Sequence, residues 1–135
     1  MTKAIFYYSL SGTVKAYAEK QAAETGADLF EIREERKYRG FTAFLFGCPK
    51  ARGLKGSKIF PPEADLSSFD EIVIMGPIWA GRPAPAVNSM ISLLPAGRSV
   101  SLVCISGSGG NDLSKTAALI TERGCTVKEA VCHKR

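Results

Sequence analysis

Residues 3–14 of the chain read KAIFYYSLSGTV, an apolar run that passes directly into a loop of small hydroxyl residues and one glycine. The apolar run is short and ends at a turn signal, which is typical of a buried β-strand, and we predict that strand over residues 3–8. In the loop, serine and threonine offer hydroxyl donors, glycine lets backbone amides approach closely, and a following helix would add the partial positive charge of its N-terminus. A loop of this composition between a strand and a helix predicts a phosphate-binding site.

Strands and helices alternate along the next part of the sequence. The spacing of apolar residues predicts a helix over residues 13–25, ended by Gly26, and a second strand over residues 27–33. A further helix is predicted to end at Cys48, because Pro49 disfavours helical geometry at the residue before it.

Three more strands are predicted in the second half, over residues 71–75, 99–106 and 125–132. Gly76 and Pro77 are expected to end the first of these three strands.

Two helices are predicted between these strands. One follows Pro85, and the other runs to about residue 123 from a cap at Asn111 or Asp112. The buried face of the first helix is predicted to comprise Val87, Met90, Ile91 and Leu94.

Such alternation predicts an α/β fold, in which one open five-stranded parallel sheet carries helices on both faces. The whole chain, residues 1–135, is expected to form a single domain. Ligands of open parallel sheets bind at the carboxyl ends of the strands. The loops at 9–14, 77–82 and 106–110 are expected to meet there.

The composition is that of an ordinary globular protein, with 45% hydrophobic and 23% charged residues in 135. No apolar stretch approaches the roughly 20 residues that cross a bilayer, so we expect no membrane span. Met1 opens straight into a strand-like run rather than a signal peptide, which predicts a cytoplasmic protein.

The net charge of +5 is concentrated in one segment. Residues 33–58 carry eight basic residues against Glu34 and Glu35, a segment charge of +6, and include a glycine-rich basic loop at 51–58. This segment is either a solvated surface or a docking site for an acidic partner, an anionic substrate or a membrane surface. The aromatic residues within it follow helical spacing, as core residues do, so nucleic-acid binding is not expected.

The sequence offers no set of metal ligands and no evident general acid or base. Its four cysteines include no C-x-x-C pair, and His133 is the only histidine. We therefore predict no metal site and name no catalytic residue.

Three loops together resemble those of the flavodoxin family, and the likeness covers nearly the whole chain. The first resembles the family's phosphate-binding loop, the second the segment that lines the flavin ring, and the third another flavin-contacting loop. The matching residues are Ser9, Leu10, Ser11, Gly12, Thr13 and Val14; Pro77, Ile78, Trp79, Ala80 and Gly81; and Ser106, Gly107, Ser108 and Gly109.

The resemblance implies the strand order 2-1-3-4-5 and bound FMN. The FMN phosphate would lie on the amides of residues 10–14, with hydroxyls from Ser9, Ser11 and Thr13. Trp79 would stack on the flavin ring, and the peptide between residues 80 and 81 would reorient with the redox state of the flavin.

The chain departs from the family pattern at two places. Val14 stands where the family has a threonine and cannot donate a hydroxyl to phosphate, although Lys15 is near enough in sequence to compensate. The usual C-terminal helix is expected to be absent, because the sequence ends soon after the fifth predicted strand. We expect apolar surface to be exposed there, covered by a homodimer or by residues 38–48.

The function implied is that of an FMN-binding redox protein. It would carry electrons to and from a partner protein, or would act as a small NAD(P)H- or quinone-type flavin reductase. The alternative is a protein of this fold that has lost its flavin and serves as an interaction module.

Overall fold

The computed structural model describes residues 2–35 and 48–135. The elements are β1 (Lys3–Tyr7), α1 (Thr13–Thr25), β2 (Asp28–Glu31), α2 (Cys48–Arg52), a 3-10 turn (Leu66–Ser68), β3 (Glu71–Trp79), β4 (Arg82–Pro83), α3 (Pro85–Ile91), β5 (Ser99–Ser106), α4 (Ser114–Glu122) and β6 (Thr126–Lys134).

The main sheet has the order β2-β1-β3-β5-β6, and all of these neighbours pair in parallel. The short strand β4 is extra, and pairs antiparallel with the end of β3. Without β4 the order corresponds to the predicted 2-1-3-4-5. The predicted open parallel α/β sheet is therefore confirmed.

Both faces of the sheet are covered by helices, as predicted. Alternate residues of each strand point to opposite faces, so each face has its own apolar cluster. On one face, Ile5, Val73 and Val103 pack with Val14 and Ala18 of α1. The opposite face packs against α3 and α4 through a larger cluster that includes Phe6, Ile72, Ile74, Val87, Met90, Leu102 and Ile120.

Strand β3 does not end at Gly76 and Pro77, so that prediction is wrong. The strand continues to Trp79, and Pro77 pairs with Ile105 of β5. Gly76 is a close-packing site rather than a strand breaker, because a Cβ there would lie 2.3 Å from Cγ2 of Val87.

Pro49 does not end a helix but lies in the first turn of α2, so residues 51 and 52 are helical rather than part of a loop. Proline is tolerated there because its missing N–H would have no acceptor in the first turn. The helix predicted before Pro49 lies, apart from Cys48, outside the described residues. Strand β2 is also shorter than predicted, since it spans Asp28–Glu31.

Strand β6 contains a β-bulge. Val127 pairs with Val100 but Glu129 pairs with Ser101, which leaves Lys128 as the extra residue. The ammonium group of Lys128 forms an ion pair with Glu71 of β3, at 2.6 Å.

The expected exposed apolar surface over the later strands is absent from the described residues. On the α1 face, Val73 and Val103 are each 5% exposed and Ile105 is 6% exposed. Polar groups, among them the Lys128–Glu71 pair, lie on the same face. A homodimer is therefore not required to cover an apolar face there, and dimerisation stays a prediction. None of the described helices is both long and apolar enough to cross a bilayer.

Candidate functional site

The carboxyl ends of β1, β3 and β5 meet at one edge of the sheet, which we call the rim. A cleft of about 200 Å³ opens there. Two of the three loops singled out in the sequence contribute to it. Its lining comprises Ser9, Leu10, Ser11, Thr13, Val14, Pro77, Ile78, Trp79, Ile105 and Arg135.

The loop between β1 and α1 is shaped to receive an anion. Gly12 has a left-handed conformation (φ 97°) and forms the N-cap of α1, which begins at Thr13 as predicted. The N–H of Gly12 donates to Oγ of Ser9 at 3.0 Å, and its carbonyl accepts from Ala16 at 3.1 Å. The hydroxyls of Ser11 and Thr13 lie 3.4 Å apart at the exposed mouth of the loop. The first amides of a helix have no acceptor within the helix, so this loop offers amides and hydroxyls to a phosphate.

The side chain of Val14 contributes no donor to this loop. Its side chain is 3% exposed and packs in the apolar cluster under α1. The departure seen in the sequence thus exchanges a hydroxyl at the phosphate loop for a core side chain. Leu10 is 40% exposed, and only its backbone offers polar groups.

The second loop is a tight hairpin at the end of β3. Ile78 pairs with Pro83 and Trp79 with Arg82, so that Ala80 and Gly81 form the two-residue turn. Their φ values are +52° and +84°, and two consecutive positive φ values are the mark of a type I′ turn. The hairpin extends β3 past the sheet edge, and Trp79 lines the cleft as a result.

Trp79 is half-buried and packs edge-on against Tyr8, with ring centroids 5.9 Å apart and planes at 74°. The Tyr8 hydroxyl donates to one carboxylate oxygen of Glu34, and the Ser57 hydroxyl donates to the other at 2.6 Å. Burial raises the pKa of Glu34 above its ordinary value. The buried carboxyl of Glu34 is therefore connected to the cleft through Tyr8 and Trp79. No sequence pattern indicated this acid, because Glu34 lies in a charged run that is typical of a solvated surface.

The third loop is close to the cleft but does not line it. Ser106 is buried, and its hydroxyl donates to Asn111 at 2.6 Å and accepts from the N–H of Gly109 at 2.8 Å. Gly107 and Ser108 are exposed. Asn111 therefore anchors this loop. The N-cap of α4 is Leu113 rather than the predicted Asn111 or Asp112, although the carboxylate of Asp112 accepts from the N–H of Ser114 at 2.9 Å.

Arg135 is a lining residue that the sequence analysis missed. Its N–H donates to the carbonyl of Ser106 at 2.8 Å, which extends the pairing of β6 with β5 up to the rim. Its proximity to residues 9–14 follows from strand order, which a local pattern does not reveal. No group of three or more potential metal ligands occurs among residues 2–35 and 48–135.

No protein-family model matches this sequence, and no curated protein matches it. Solved structures do match over almost its full length. A Lactobacillus acidophilus flavoprotein, crystallised in complex with FMN, has a TM-score of 0.81 at 21% identity, over 98% of this chain and 93% of that chain. Oxidised flavodoxin 2 from Bacillus cereus has a TM-score of 0.60 at 15% identity, over 99% and 84%. An NADPH-quinone reductase from P. pentosaceus has a TM-score of 0.63 at 8% identity, over 99% and 86%. By its strand order and by these matches, this chain has the flavodoxin-like fold.

Proposed function

We propose that this chain binds FMN at the rim and functions in electron transfer. The observation that carries the proposal is the meeting of an anion-receiving loop and an aromatic hairpin on one cleft. The matching structures support it, since one was crystallised with FMN and another is a flavodoxin.

The donor set fits a phosphomonoester. The amides that open α1 and the hydroxyls of Ser9, Ser11 and Thr13 would hold the phosphate. Trp79 would flank the ring system, and Ser106–Gly109 would border it from the end of β5. The peptide between Ala80 and Gly81 remains our candidate for a backbone group that responds to the redox state. Bound FMN would supply electron and hydride transfer, while the protein orients it and sets its potential.

Titration of the protein with FMN tests this proposal directly. Trp79 is the only tryptophan, so its fluorescence reports on the cleft alone, and we expect FMN to quench it. Gly12→Ala should weaken FMN binding by about tenfold, because an L-residue at φ +97° would distort the loop that holds the phosphate.

Gly26→Ala is the matched control for this substitution. Gly26 also has a positive φ (+74°), and a methyl group added to either glycine would meet no atom within 4 Å. Gly26 caps the far end of α1, so its replacement should lower stability by a similar amount and leave FMN affinity unchanged. Unquenched tryptophan fluorescence in the wild type, or equal effects of the two substitutions on affinity, would contradict the proposal. A complete lack of FMN binding would favour the interaction module instead.

The finer role is proposed as either an electron carrier or a small NAD(P)H- or quinone-type reductase. Steady-state oxidation of NAD(P)H with a quinone acceptor separates the two, because only a reductase turns over without a protein partner. We further propose a cytoplasmic location and an acidic redox partner. Four exposed basic residues support the latter, and we call them the basic surface: Lys50, Arg52, Lys55 and Lys58.

A further inference from the structure

Arg135 is the only charged residue among the described residues that line the cleft. The remaining lining offers neutral hydroxyls, backbone groups and apolar side chains. A phosphomonoester carries up to two negative charges, and the hydroxyls, amides and N-terminus of α1 offset them only with partial charges, so a full positive charge at the cleft would strengthen binding.

The position of Arg135 is fixed by strand pairing. Lys134 pairs with Ser106, and the N–H of Arg135 then donates to the Ser106 carbonyl at 2.8 Å. Arg135 follows His133 by two residues along an extended strand, so both side chains lie on the same face of the sheet. That face is the α1 face, because the ring of His133 lies 5.6 Å from that of Tyr17 in α1.

The phosphate loop opens on the same face. Val14 and Ile105 belong to the apolar cluster under α1 and also line the cleft, so its floor belongs to this side of the sheet. Arg135 and the start of α1 thus line one cleft, together with Ile105 of β5.

We propose that the Arg135 guanidinium binds the phosphate of the flavin nucleotide and supplies the donor that Val14 lacks. This assignment rests on the proposed function. Guanidinium groups offer paired N–H donors that match the oxygens of a phosphate. With valine in place of threonine at residue 14, the loop alone would give the phosphate one hydrogen bond fewer.

Comparison of FMN with riboflavin tests the assignment, because the two ligands differ only in the phosphate. Arg135→Ala should raise the Kd for FMN by about 10- to 100-fold, the range expected for one lost charge-assisted hydrogen bond, and should leave the Kd for riboflavin within about twofold. Arg135→Lys should retain part of the affinity. The wild-type Kd should also rise with salt more steeply than that of Arg135→Ala.

Lys134→Ala is the matched control, since it removes an equal charge one residue away, on the other face of β6, and should change neither Kd. Lys15→Ala tests the second cation near the loop and should raise the Kd for FMN less than Arg135→Ala does.

Melting temperatures of the flavin-free proteins show whether each variant is folded. An unchanged Kd for FMN in Arg135→Ala, or equal losses for FMN and riboflavin, would overturn the assignment while wild-type binding would still support the proposed function. No FMN binding by the wild type would overturn both.

Discussion

Glu34 is buried, at 4% exposure, in a network of side chains close to the rim. Burial raises the pKa of its carboxyl, while hydrogen bonds from Ser57 and Tyr8 and the charge of Lys50 act in the opposite direction. The folded protein therefore holds this proton to higher pH than the unfolded chain does. The protonated carboxyl makes its whole contribution to the free energy of unfolding below its ordinary pKa of 4.5. That contribution is lost as pH rises through the folded-state pKa.

Glu34→Gln should remove this pH dependence. Glutamine can still accept from Tyr8 and is neutral at every pH, so the variant should gain stability relative to the wild type as pH rises above 4.5, until the wild-type carboxyl is fully ionised. Urea denaturation between pH 4 and pH 8 measures the difference. Glu35→Gln, at an exposed neighbour, should give a difference that does not vary in this way, and a flat profile for Glu34→Gln would contradict the burial argument.

At this scale, the sequence predicted residues whose role depends on local order. Residues 9–13 join the carboxyl end of a strand to a helix, and every such junction in a parallel sheet lies at the rim. The position of Trp79 at the rim was predictable because it follows a predicted strand. Tyr8, Glu34 and Arg135 were missed, because their contacts join residues that are far apart in the chain. Glu34 and Tyr8, for example, are 26 positions apart.

The contact between β3 and α3 depends on the absence of a side chain at Gly76. A methyl group there would overlap Cγ2 of Val87, whose branched side chain has no room to move in the core. Gly76→Ala should therefore lower the free energy of unfolding by about 1–3 kcal/mol.

A double-mutant cycle checks this cause. Val87→Ala should lower the free energy of unfolding less in the Gly76→Ala background than in the wild type. Urea denaturation should give a coupling energy of about 1–2 kcal/mol between the two substitutions. Gly107→Ala is the control, because its methyl group would meet nothing within 4 Å and its φ is not positive. Additive effects of the first two substitutions would show that overlap with Val87 is not the cause.

Elements with clear ends were predicted closely. The bounds of α1 and β5 agree with the structure, since Gly26 adopts the left-handed cap and the apolar run 99–106 is uninterrupted. Two predictions of element ends were wrong, at Gly76-Pro77 and at Pro49. Glycine and proline are typical of the end of a strand or helix when only the local sequence is considered. Gly76 and Pro77 stay in the strand because packing against α3 and pairing with β5 outweigh local preference.

The molecule as a whole is cationic, with a net charge of +5 and the exposed basic surface near the carboxyl end of β2. If the proposed function holds, the rate of electron transfer from the reduced protein to ferricyanide, a trianion, should fall with ionic strength, whereas the rate to hexaammineruthenium(III), a trication of similar size, should rise. The ferricyanide rate should fall roughly tenfold between low and high ionic strength, because salt screens the attraction.

Stopped-flow oxidation of the reduced protein provides the measurement. Lys50→Gln should lower the ferricyanide rate more than Lys20→Gln, which removes an equal charge from exposed α1. Equal effects would mean that net charge alone, rather than the basic surface, attracts the anion. Sedimentation of the same samples would also test for the predicted homodimer.

The bulge at Lys128 determines which way the end of the chain is turned. Side chains alternate sides along a strand, so one unpaired residue reverses the alternation for everything after it. If Lys128 were instead paired with Ser101 in an unbroken ladder, every later residue would pair one position further along β5, so Val131 and His133 would turn over and Arg135 would lie on the α4 face instead of the α1 face. One irregularity in an edge strand thus decides on which side of the sheet the charge of Arg135 lies.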